Sequence, residues 1–212
     1  GARAIRVSSA PTIAARLLLP SLRRWQQQCG LAVEIDTSYR QVRFPDDGFD
    51  VAIRMGGGSW PGTVCTPLLK EHLVPVCSPH YLRQTASTEG SVDLSRATLI
   101  HVTSITEDWS TWLAATSARS AEFSSNGLLF DTIHLAIEAA EAGLGVAMGR
   151  RPLIDRQLAD GTLIVAARAT IRCAGGYWLV GSDGAEDRPE VKAFKRWLLE
   201  EAKMFASPPV AA

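Results

Sequence analysis

Strands alternating with helices predict an α/β fold built on a largely parallel sheet. Three observations carry this: an alternating strand at residues 4–8 passes by a short turn into an apolar helical stripe, near-continuous apolar runs recur at 49–54 and 146–148, and a helix follows almost every strand. The chain has 212 residues, 46% hydrophobic and 21% charged, which suits a folded chain and excludes disorder, collagen and coiled coil.

Residues 4–8 read as the first strand. Ala14, Leu18, Leu22, Trp25 and Cys29 then share one face of a helix, with Pro11 in its first turn. Pro20 lies inside that helix and removes a backbone donor, which predicts a kink rather than an end. Gly30 stops the helix, and 31–36 form a second strand. A polar loop holding Arg40, Arg43, Asp46 and Asp47 leads to a buried strand at 49–54, followed by a glycine-rich loop at 55–62. Residues 64–70 and 73–77 read as one or two strands, and Ser78-Pro79 opens a short helix through Leu82.

After a turn-rich stretch at 83–95 comes a strand at 97–102. Thr106 is expected to cap a helix with Glu107 and Asp108 in its first turn and Trp109, Trp112 and Leu113 on its apolar side. A strand at 128–130 precedes a helix capped by Asp131, with Ile133, Ile137, Ala140 and Leu144 on one stripe and Gly143 as its stop. A strand at 146–148, a short helix at 152–158 and strands at 162–166 and 176–180 follow. Pro189 opens the last helix, with Val191, Phe194, Leu198 and Phe205 inward, and residues 207–212 read as a disordered tail.

Lys plus Arg equal Asp plus Glu at 22 each, so these residues lack the basic excess by which a chain grips phosphates. No apolar stretch approaches the ~20 residues of a membrane span, and residues 1–6 lack the pattern of a secretory signal. Cys29, Cys65, Cys77 and Cys173 stand far apart, which predicts buried thiols in a reducing cytoplasm. His72, His80, His101 and His134 fall on separate elements without metal-site spacing, so neither a metal nor another cofactor is expected.

The glycine clusters at 56–62 and 143–149 fail the dinucleotide, P-loop and nucleophile-elbow patterns. No hydrolase signature or carboxylate pair points to an enzyme. Three strand-to-helix turns instead carry hydroxyl groups at helix starts, at Ser9 to Thr12, at Thr103 to Thr106 and at Asp131 to Thr132. Such turns offer N–H groups to an anion, though each hydroxyl equally serves to cap its own helix.

The stretches at 49–62, 73–79 and 107–112, together with Phe130-Asp131 and 138–147, resemble the effector-binding domain of LysR-type transcriptional regulators. They are most similar to the branch containing the glycine-cleavage activator and the β-lactamase regulator. The resemblance implies two Rossmann-like subdomains joined by two crossover strands, like a type 2 periplasmic binding protein. Subdomain I would span 1–76 and 170–206, subdomain II 77–169, and a small effector would lie between them.

By position in the family pattern, Thr12 lines the effector site, Tyr177 is an aromatic beside it, and Thr132 stands where the branch has serine. Ile133 stands where some members have a second serine. Ser9, Arg54, Trp60 and Thr103 complete the candidate set from their places in the same turns and loops. The implied ligand bears a carboxylate or is amino-acid-like. DNA binding would reside in an N-terminal winged helix-turn-helix domain outside these residues, in a cytoplasmic homodimer or, at full length, a tetramer. The alternative of the same architecture is an extracytoplasmic solute-binding protein of a transporter.

Overall fold

The computed structural model describes residues 3–38, 40–44, 46–85, 91–116, 127–183 and 188–206. In chain order the elements are β1 (Ile5–Ser9), α1 (Pro11–Ile13), a π-wound segment (Ala14–Leu18), α2 (Leu19–Cys29), β2 (Val33–Thr37), β3 (Val51–Gly56) and β4 (Thr63–Cys77). Then follow α3 (Pro79–Thr85), β5 (Leu99–Val102), α4 (Glu107–Thr116), β6 (Leu128–Phe130), α5 (Ile133–Glu141) and β7 (Val146–Arg151). The chain closes with α6 (Asp155–Asp160), β8 (Ile164–Val165), β9 (Ile171–Ser182) and α7 (Pro189–Ala206). The expected tail at 207–212 lies outside the described residues.

The chain divides into two compact units, Gly1–Lys70 with Ala174–Ala212, and Glu71–Cys173. The junctions fall inside β4 and β9, and of the expected bounds 76/77 also lies inside β4 while 169/170 lies just before β9. Residues 63–77 are a single long strand, and β9 extends well beyond the expected 176–180.

In the first unit the strand order is β2-β1-β3-β9. β1 pairs in parallel with β2 and β3, but β9 runs antiparallel to β3, with Met55 opposite Tyr177. In the second unit the order is β4-β7-β5-β6, with β8 on β4; β5 is parallel to β6 and β7, and β4 is antiparallel to β7 and β8. The sheets are therefore mixed, not largely parallel. β4 and β9 are entered through loops, at 57–62 and 166–170, without the helical crossover that parallel neighbours require.

Pro20 does not end the first helix. The π-wound segment lies immediately before it, and the Leu19 N–H reaches the Ala14 carbonyl. Leu17, Leu18, Ser21 and Trp25 are buried, while Cys29, the last residue of α2, is exposed, which corrects its expected place inward. Gly30, at φ +64°, ends the helix in the left-handed conformation. Trp25 then packs on Phe194 and Trp197 of α7, with ring centroids 5.2 Å away in both cases.

The second unit has its own core, in which Leu73, Cys77, Tyr81, Trp109, Trp112, Val146 and Met148 are buried. Trp109 and Trp112 donate their indole N–H groups to the carbonyls of Ile100 and Ala169. α5 buries Ile133, Ile137 and Ala140, but Leu144 is half exposed because it follows the Gly143 stop, at φ +80°.

Candidate functional site

β1 ends at Ser9, and its carboxyl end feeds directly into the first helix. The Ala10 N–H donates to the Ile53 carbonyl at 3.2 Å, which ties this turn to β3. Ser9 is fully buried and donates to the Ala10 carbonyl at 3.1 Å. Thr12, in the first helical turn, is only 2% exposed, and its Oγ1 has no hydrogen-bond partner. A buried hydroxyl normally finds one, because desolvating it otherwise costs ~1–3 kcal/mol. Pro11 has no N–H, so the donors of that first turn without intrahelical partners are those of Thr12 and Ile13.

Arg54 belongs to a different surface. Successive side chains of a strand alternate between faces, and the register places Ser8, Ala52 and Arg54 on one face and Ser9, Ile53, Met55 and Tyr177 on the other. On its own face Arg54 donates from Nη2 to Ser8 Oγ at 2.6 Å and to the Arg40 carbonyl at 2.8 Å, and from Nη1 to the Ile53 carbonyl at 3.0 Å. Burial pushes its pKa down and nearby Asp36 pushes it up. Arg54 and Trp60 line a solvent-open pocket of ≈ 220 Å³ with Val42, Phe44, Ala52 and Val180. Arg54 and Trp60 are thus gathered together but apart from the face shared by Ser9 and the buried Tyr177.

In the second unit, Thr132 caps α5 by accepting from the Leu135 N–H at 3.2 Å, so the cap is Thr132 and not Asp131. Thr132 is extended while Asp131 lies one residue too early to reach that donor. Thr103 is exposed, and its N–H donates to the Phe130 carbonyl at 2.8 Å. Thr106 Oγ1 lies 3.5 Å from Glu107 Oε2.

This unit also holds a buried charged cluster that no sequence motif announces. Arg150 of β7 holds Asp108 of α4 through Nε and Nη2 at 3.0 and 2.6 Å, and Glu71 of β4 through Nη1 at 2.8 Å. Glu71 stands in register with buried Leu69 and Leu73, and a carboxylate interrupting an apolar period of two was the available signal. All four cysteines are free thiols, and burial pushes Cys77 and Cys173 up to about 11. Among the described residues no His, Cys, Asp and Glu group could hold a metal ion, and no helix is long and apolar enough to cross a membrane.

The two units, with parallel strands feeding helices and antiparallel strands leading in and out, have the fold of a ligand-sensing regulatory domain of the type 2 periplasmic-binding class. The chain belongs to the LysR substrate binding domain family, whose model matches residues 1–203. It is 30% identical over 200 residues to the glycine cleavage system transcriptional activator of Escherichia coli, covering 94% of this chain and 65% of that protein. It is also 30% identical over 171 residues to the HTH-type transcriptional activator AmpR of Enterobacter cloacae, covering 81% of this chain and 57% of that protein. The solved effector domain of AmpR from Pseudomonas aeruginosa superposes with a TM-score of 0.80 at 29% identity, covering 96% of this chain and 97% of that one. The chain thus spans less than two thirds of the length of these two full regulators.

Proposed function

We propose that this chain senses a small carboxylate-bearing or amino-acid-like metabolite at the start of its first helix, and that binding controls the DNA-binding activity of a full-length, homodimeric or tetrameric cytoplasmic regulator. The observation that carries the reading is Thr12 Oγ1, a buried hydroxyl without a partner beside the first-turn N–H groups. A carboxylate there would accept from the hydroxyl and from the N–H groups of Thr12 and Ile13, and the helix dipole favours the negative charge. Solvation by dipoles holds an anion without a full opposite charge. Arg54 bonds Ser8 and two carbonyls, and although its buried Nε has no partner it lies on the other face of the sheet, so this reading does not use it.

In this reading the chain performs no chemistry on its ligand. An effector that binds one conformation more tightly than another shifts the population toward it, by no more than that difference in affinity. The balanced charge of these residues supports assigning DNA contact to the part of the regulators that lies beyond the matched region.

The test is a thermal-shift and calorimetric comparison of glycine, acetate, succinate and glutamate with the amides in which every carboxylate is blocked. At least one acid should bind where its amide does not. Thr12→Val should then weaken that acid roughly 10- to 150-fold, the worth of one hydrogen bond to a charged group. A bound molecule without an anionic group, recovered by native mass spectrometry, or an affinity unchanged within about twofold in Thr12→Val, overturns the reading.

A further inference from the structure

Three strands and one helix of the second unit bring four polar side chains together inside its core. Arg150 from β7 binds both oxygens of Asp108 from α4 and one oxygen of Glu71 from β4, and its Nη1 lies 3.7 Å from Cys173 Sγ of β9. The Glu71 and Arg150 side chains are 0% and 6% exposed, and Asp108 is 15% exposed. Their chain neighbours Leu73, Trp109 and Met148 belong to the apolar core. Two carboxylates therefore share one guanidinium, so full ionisation leaves one uncompensated negative charge among apolar groups, a costly arrangement.

The geometry says which oxygen carries that excess. Both Asp108 oxygens accept from Arg150, as does Glu71 Oε2, while Glu71 Oε1 has no partner. The Cys173 thiol stays neutral and adds no charge. We propose that Glu71 Oε1 is a proton-binding site, so that the second unit switches between a neutral and a singly negative core as it gains and loses one proton. Asp108 lies in the first turn of α4, so the same proton alters the charge against which Arg150 holds that turn.

Burial pushes Glu71 up to about 7, against the pull of Arg150 and with a further push from Asp108. Asp108 is raised too, by burial first, with Arg150 opposing. A carboxyl raised in the folded state binds its proton more tightly there than in the unfolded chain, where a glutamate keeps its ordinary value of 4.5. The stabilisation is complete below about 4.5 and is lost as pH rises toward about 7.

The test uses the 212-residue chain with carbon-13-labelled glutamate carboxyls, titrated from about pH 4 to 9. One resonance should titrate near neutrality and be missing in Glu71→Gln, which mimics the protonated carboxyl. Between about pH 4.5 and 7 the folding equilibrium constant of the parent should fall relative to Glu71→Gln by up to about tenfold per pH unit. If every glutamate titrates below about pH 5.5, or if parent and variant curves stay parallel, the proposal is overturned. Should Glu71→Gln fail to fold, the parent's titration alone decides.

Discussion

Arg54 Nη2 donates to Ser8 Oγ at 2.6 Å, across the pairing of β3 with β1, and this bond commits a half-buried guanidinium to the sheet. Its three acceptors, the Ser8 hydroxyl and the backbone carbonyls of Arg40 and Ile53, are all within the first unit. Arg54→Met keeps much of the volume and leaves those acceptors without their donor. Stability should fall by about 1.5–3 kcal/mol, with partial recovery in Arg54→Lys. Urea denaturation measures this, and a midpoint equal to the parent's would show that the bonds contribute nothing.

Thr12→Val should behave in the opposite sense in the ligand-free chain. It replaces a buried, unpartnered hydroxyl by a methyl of similar shape, so stability should stay level or rise by up to about 1 kcal/mol. A loss of about 2 kcal/mol or more by chemical denaturation would mean that the hydroxyl is paired in solution.

Thr132 closes the start of α5. Thr132→Ala should cost about 1 kcal/mol, and Thr132→Ser, which retains the acceptor, much less. Melting curves of the two variants provide the comparison, with equal melting points counting against the cap.

Gly145 precedes β7 where backbone comes close. A Cβ there would stand 2.4 Å from the Thr98 carbonyl oxygen, which cannot swing aside as a flexible side chain can. Gly145→Ala should therefore destabilise by about 1–3 kcal/mol. Gly57→Ala, whose Cβ meets nothing within 4 Å, should stay within about 0.5 kcal/mol. Similar losses in both would show that space is not the deciding factor.

Much of the architecture was legible because its signals are local. The order of strands and helices, the Gly30 and Gly143 stops and the buried faces of Trp109 and Ile137 all follow from periodicity and backbone freedom within a few residues. Where two neighbouring residues satisfy the same local rule, sequence alone does not choose between them. Asp131 and Thr132 are both capping residues, and only backbone geometry chose Thr132. The stripe extended to Cys29 overshoots the buried part of the helix, because Cys29 is the last residue of α2 before Gly30 and is exposed.

The candidate site was legible as residue types at strand ends, but not as an arrangement. Thr12 stood out because a hydroxyl opens a helix after a strand; that its oxygen lacks a partner is a property of its surroundings. The sequence by itself determined which segments are strands and helices and where charge is balanced, since hydropathy period, proline and glycine act over a few residues. Only the tertiary structure decided that Arg54 faces away from Ser9 and Tyr177, and that Glu71, Asp108 and Arg150 meet in one core. Such meetings depend on strand direction and register, which are set when segments far apart in sequence bury their apolar faces together; Glu71 and Arg150 are 79 residues apart along the chain.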